Sequence, residues 1–250
     1  MRLGIAHHYG WAVAVSASPD FQVVDRRRIE LIESGLPAAP IHHEGGTHDM
    51  HSSGEPLDDE ELAALVAKVR ASAMTISAMS MDELVSALPA PITALAIRGW
   101  QSDFPEDIAS QRRPPYESRA DSVMYCKVLA EVAAERGWDI RTYDAKSVEA
   151  EAAAMLGSRA DEVLHGPRTT LGPPWSKDHR TALAATIVTA WSNDSQDHPR
   201  SRMNTDASVD QQASHPPGGP GYTKKEAVRC LKRYVAREVY GLLPHAEIRA

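Results

Sequence analysis

Residues 137–191 read GWDIRTYDAKSVEAEAAAMLGSRADEVLHGPRTTLGPPWSKDHRTALAATIVTAW, and this stretch decides the fold. A short strand pattern at Asp139–Tyr143 leads into a helix, a Gly-Ser-Arg-Ala-Asp turn and a second helix. After a proline-rich loop, Asp178 opens a final helix of small residues, with its side chain placed as a helix cap.

Upstream, residues 2–6 and 11–16 are short apolar runs, and residues 22–32 alternate well enough for a third strand. Together they predict a three-strand meander. The Gly-, Pro-, His- and Ser-rich segment 33–56 reads as a loop. Asp58 and Glu61 have the spacing of a capping box, and apolar residues follow at helical intervals to Ile76. Ser80 and Glu83 predict a second helix start before Pro89. Residues 92–100 form a strand-length apolar run, and residues 120–136 an amphipathic helix closed by Gly137. The order predicts an α/β fold: a mixed five-stranded sheet, three-strand meander first and alternating helices and strands after, with helices on both faces. Actin-like ATPase halves begin with the same order. No Walker-type or GxGxxG phosphate loop accompanies it here, and no GxSxG elbow is present.

Composition and charge set the frame. The 250 residues carry a net charge of −7, unevenly spread. Residues 222–250 hold seven basic and three acidic side chains, so the tail is +4 and the remainder −11. No apolar run approaches the roughly 20 residues that span a bilayer, which predicts no membrane partner. The amino terminus lacks the features of a leader, and Cys126 and Cys230 lie far apart, so the expectation is a reduced, cytoplasmic protein. Residues 192–221 are dominated by Asp, Ser, Gln, His, Pro and Gly and predict a disordered linker. This gives three parts: a domain over 1–191, the linker, and a basic amphipathic helix over 222–250.

Residues 137–191 resemble the carboxyl-terminal half of RuvC-type Holliday junction resolvases, of the RNase H-like superfamily. The resemblance extends in layout to 1–191. It implies a metal-dependent phosphodiester hydrolase with one Asp on the first strand, a Glu ending the fourth, and two Asp on the last helix. Hard Mg²⁺ or Mn²⁺ requires those oxygens. This chain has Ala6, Arg98, Asp178 and Thr181 at the four places. One carboxylate of four survives, and a guanidinium at one position repels a metal. The expectation is a catalytically degenerate protein without a cofactor that binds structured DNA or RNA, or a protein partner. A divergent nuclease is the alternative, with Asp178 and His179 as catalytic residues and His7, His8 and Asp178 holding a divalent metal; Mg²⁺ or Mn²⁺ would be needed only then. A third reading is an interaction protein that no longer meets nucleic acid. The resemblance also makes a homodimer plausible.

Candidate contacts need no catalysis. Arg112, Arg113, Tyr116 and Arg119 precede a helix in the region that approaches DNA in RuvC-like proteins. Residues 221–245 (GYTKKEAVRCLKRYVAREVYGLLPH) resemble the carboxyl terminus of actinobacterial insertion-sequence transposases with a RuvC-like DEDD domain. Arg229, Cys230, Leu231, Lys232, Arg233, Tyr234, Ala236, Arg237, Glu238 and Tyr240 carry that match. Lys225, Arg229, Lys232, Arg233 and Arg237 make a basic face for phosphates. The helix is read equally as a DNA-binding arm or a remnant of a mobile element. Two further features have plainer readings: Arg26, Arg27 and Arg28 as an exposed strand edge, and Cys126 as a core thiol. The His-rich run 42–51 matches no paired-ligand zinc spacing.

Overall fold

The computed structural model describes residues 1–45 and 56–191. The linker over 192–221, the basic helix over 222–250 and residues 46–51 of the His-rich run lie outside the described residues.

The sheet has five strands, β1 (Arg2–His7), β2 (Trp11–Ala17), β3 (Val23–Glu30), β4 (Ala94–Arg98) and β5 (Asp139–Tyr143), in the order β3-β2-β1-β4-β5. The first three pair antiparallel, while β4 joins β1 and β5 joins β4 in parallel. Each strand falls on the segment whose alternation or apolar run predicted it. The meander followed by parallel crossovers is the mixed five-stranded α/β arrangement expected from the sequence.

Helices cover both faces: α1 (Asp59–Ser86), α2 (Ile108–Gln111), α3 (Glu117–Glu135), α4 (Val148–Leu156), α5 (Ala160–Leu164), α6 (Pro167–Thr170) and α7 (Lys177–Trp191). Alternate residues of a strand point to opposite faces. Leu3, Ile5, Ala12 and Ala14 therefore face a core built with Val69, Met81, Leu84, Tyr125 and Leu129 of α1 and α3. Ala6, Val13 and Val15 face the other way, with Val148, Ala152, Leu183 and Ile187 of α4 and α7.

The expected second helix start at Ser80 does not exist, because α1 runs unbroken for 28 residues. Ser80 is polar for a tertiary reason: its hydroxyl donates to the Glu30 carbonyl at 2.8 Å. The capping box forms as expected, with Asp58 accepting from the Glu60 and Glu61 amides. By length and composition alone, at a mean hydropathy of 1.4, α1 could cross a membrane. Here it is a sheet-covering helix, burying Leu62, Val69, Ala73, Met81 and Leu84.

The strand-edge arginines are more engaged than an exposed edge requires. Arg26 donates to the Leu171 and Gly172 carbonyls at 2.8 and 2.9 Å and also to Pro174, and its guanidinium lies over the Trp175 ring. It thereby ties the proline-rich loop before α7 to β3. Arg27 pairs with Asp25, and Arg28 pairs with Glu30 and stacks over Trp11.

Helix α7 reaches β1 because residue 4 has no side chain. A Cβ on Gly4 would fall on the Ala182 carbonyl oxygen and press the Thr186 methyl. Gly4→Ala should therefore force α7 off the sheet and cost on the order of 1–3 kcal/mol or more, as overpacking does. Urea unfolding of the variant checks it; an unchanged midpoint would show that the helix has room to yield.

Candidate functional site

The site lies where strand order reverses, at the carboxyl ends of β1 and β4, the place at which open α/β sheets form a crevice. The two strands pair only from Arg2 with Ala94 to Gly4 with Ala96. Beyond that, Tyr143 on β5 reaches across, and its hydroxyl donates to the Ile5 carbonyl at 2.7 Å. Burial pushes that phenol up, out of titration range. Ala6 is buried in the apolar cluster that includes Tyr143 and Leu183. The point where the resemblance places the first carboxylate is thus dry and packed.

Arg98 ends β4 and is exposed, with no hydrogen bond or ion pair among the described residues. Its positive charge is felt at His7, Cys126 and Tyr143. On α7, Asp178 sits in the first turn, not at the cap, and its Oδ2 lies 3.2 Å from His8 Nε2. His8 in turn stacks on Trp11, with ring centroids 4.1 Å apart. Thr181 donates to Glu149 Oε1 at 2.8 Å, while Arg180 binds the other oxygen of Glu149 at 3.2 Å. Both carboxylates beside α7 therefore already have partners.

The proposed triad of His7, His8 and Asp178 is not brought together. His7 is the last residue of β1 and His8 follows it, and the two rings meet different helices, α3 and α7. His7 turns towards α3, sharing a hydrogen bond with Ser122 Oγ at 2.9 Å and lying 3.6 Å from Cys126 Sγ. Burial, then the nearby Arg98 charge, lowers its pKa from 6.5 to about 3. His179 serves the helix start: its Nδ1 accepts the Ser176 amide at 3.2 Å and its ring leans on Trp175. Burial and then Arg26 lower its pKa. Among the described residues no three His, Cys, Asp or Glu side chains converge to hold a metal. A donor set of alanine, arginine, threonine and one histidine-paired aspartate does not fit Mg²⁺ or Mn²⁺.

The arginine loop divides. Arg112 is a structural clamp: Nε donates to the Gly45 carbonyl, Nη1 to Asp59 and Nη2 to the Leu57 carbonyl, three of its five N–H donors. Tyr116 is half-buried, edge-on to Phe104 at 5.4 Å. Arg113 is exposed on the connecting turn. Arg119, on α3, lines a cleft of about 660 Å³.

That cleft is much larger than the concavity of about 190 Å³ that lies beside Arg28 and Glu83. Arg98, Arg119 and Lys146 stand in the cleft's walls with Trp100 and Phe104, and Cys126 and Tyr143 also line it. Neither Arg119 nor Lys146 has a side-chain partner among the described residues. The one acid in the wall, Asp144, is held by its own turn, accepting the Lys146 amide at 2.9 Å. Burial raises the Cys126 thiol to about 12, so it is no nucleophile. Sequence reasoning missed Lys146, Trp100 and Tyr143. Only their position after a parallel strand, where ligands gather, could have drawn attention to them.

On the far side of α3, Asp121 accepts the Ile41 and His42 amides at 3.1 and 2.9 Å, and burial lifts its pKa to about 7.

No protein-family model and no curated protein matches this chain. Among solved structures, T. thermophilus RuvC in complex with a Holliday junction substrate matches at 13% identity and a TM-score of 0.39, covering 77% of this chain and 95% of that one. A structure of Thermus thermophilus RuvC matches at 12% identity and 0.38, covering 78% and 96%.

His7 and Asp121 act oppositely on stability. The folded pKa of His7 is depressed from 6.5 to about 3, so its contribution is present above 6.5 and lost as pH falls towards 3. For Asp121 the folded value is raised from 3.8 to about 7, so its contribution is present below 3.8 and lost as pH rises through 7. Each changes stability by up to about 1.4 kcal/mol per pH unit. Between pH 3.8 and 6.5 the two slopes oppose. The urea midpoint should stay nearly level there, and in His7→Leu it should fall as pH rises. A variant profile parallel to the parent's would refute this balance.

Proposed function

We propose that this domain binds nucleic acid through the cleft beside β4 and does not hydrolyse it. The observation that carries the reading is Arg98: an unpaired guanidinium stands where the resemblance requires a metal-binding carboxylate. Arg119 and Lys146 extend the positive charge along the cleft, and Trp100 offers a ring beside them. Guanidinium and ammonium groups suit phosphate oxygens, and an aromatic wall suits an unpaired base. The acidic balance of the remaining body confines this attraction to the cleft and discourages general coating of DNA.

Fluorescence anisotropy with labelled four-way junction, flap, duplex and single-stranded DNA tests the reading on the full chain. Arg98→Glu should weaken binding by roughly tenfold or more. About three phosphate contacts give a log–log salt slope near −2 for single strands. No substrate should be cut with Mg²⁺ or Mn²⁺. Cleavage that disappears in Asp178→Asn would overturn the reading. So would binding lost in Lys232→Glu/Arg233→Glu and indifferent to Arg98→Glu, which would move the activity to the tail.

A further inference from the structure

The cleft is a poor channel for a continuous strand and a good receptacle for an end. Its lining includes the buried side chains of Cys126 and Tyr143, so a strand entering it meets packed core on that side. Its volume of about 660 Å³ lies within the range of small-ligand sites and is too small for a duplex. Arg98, Arg119 and Lys146 converge on this space against a single carboxylate, Asp144, whose Oδ1 is already committed to a backbone amide. The wall therefore carries two positive charges in excess. An internal phosphodiester brings one negative charge, whereas a phosphomonoester brings about 1.5–2 near neutral pH and has one more free oxygen to accept hydrogen bonds. The half-buried Trp100 gives the same cleft an apolar side, placed to take the nucleoside attached to that phosphate, with the buried Phe104 behind it.

From these features, and resting on the nucleic-acid reading above, we infer that the cleft recognises the phosphorylated terminus of a single strand. Arg98 and Lys146 hold the terminal phosphate between β4 and the turn after β5, and Arg119 closes it from α3. Trp100 stacks on the terminal base. The same chemistry could be supplied by a free mononucleotide, and the test separates the two sources.

Short oligothymidines with a 5′-phosphate, a 3′-phosphate or hydroxyls at both ends, each labelled internally, are compared by anisotropy against the full chain, with thymidine monophosphate as competitor. One phosphorylated end should bind roughly tenfold more tightly than the hydroxyl form. Arg98→Gln and Lys146→Gln should each erase most of that difference, and Trp100→Ala should weaken the phosphorylated strand without abolishing its preference. Circular dichroism checks that the fold stays intact, at the exposed Arg98 and Lys146 and at the half-buried Trp100 alike. Equal affinity for phosphorylated and hydroxyl ends, both reduced by Arg98→Gln, would overturn end recognition and leave nucleic-acid binding standing. Competition by the mononucleotide at the strand's own affinity would also overturn it, assigning the cleft to free nucleotides. No binding of any strand would remove both this inference and the reading beneath it.

Discussion

Contact between α7 and β1 at Gly4 is the constraint from which the site follows. A helix that lies with its Ala182 carbonyl against a strand backbone leaves no gap between the two elements. Whatever residue 6 carries must then fit the narrow space beside Leu183 and Tyr143. Alanine fits and stays dry. A carboxylate there would need ligands or water to offset its desolvation, and the surrounding side chains supply neither.

The same closeness explains the partners taken by the remaining polar groups. Asp178 and Thr181 sit on the first turns of α7, facing material that comes from β1 and α4. The half-buried Asp178 carboxylate is stabilised by a nearby donor, and His8 supplies one. Glu149 binds both Thr181 and Arg180 and fastens α4 to α7. Tyr143 fills the opening between β1 and β4 and satisfies the Ile5 carbonyl that β4 leaves unpaired. Charge that would have been negative at the sheet's end is absent, and Arg98 sits there unopposed. The cleft's positive character comes from that reversal, with Lys146 and Arg119 as its extension.

Much of the fold was legible in the sequence, for a simple reason. All five strands are short apolar or alternating runs bounded by turns, and period two is a strong signal. The helix start at Asp58 was legible because capping is local. A break at Ser80 was misread because a serine that bonds the Glu30 carbonyl looks the same in sequence as one that caps a helix. The histidine pair was not separable in the sequence: His7 ends β1 and meets Ser122 of α3, while His8 lies past the strand and meets Asp178 of α7. Arg112 and Arg119 could not be told apart. One is locked by carbonyls from residues 45 and 57, and the other is open in the cleft; the distinction depends on contacts distant in the chain. Lys146 belongs to no motif and becomes visible only when β4 and β5 lie side by side.

We propose that this end of the sheet takes anions and not divalent cations. Titration of Mn²⁺ into the full chain, followed by the loss of the free-ion electron paramagnetic resonance signal, tests it most directly, with Asp178→Asn run in parallel. Uptake should be weak, non-stoichiometric and the same in both proteins. A stoichiometric Mn²⁺ site that disappears in Asp178→Asn would contradict it.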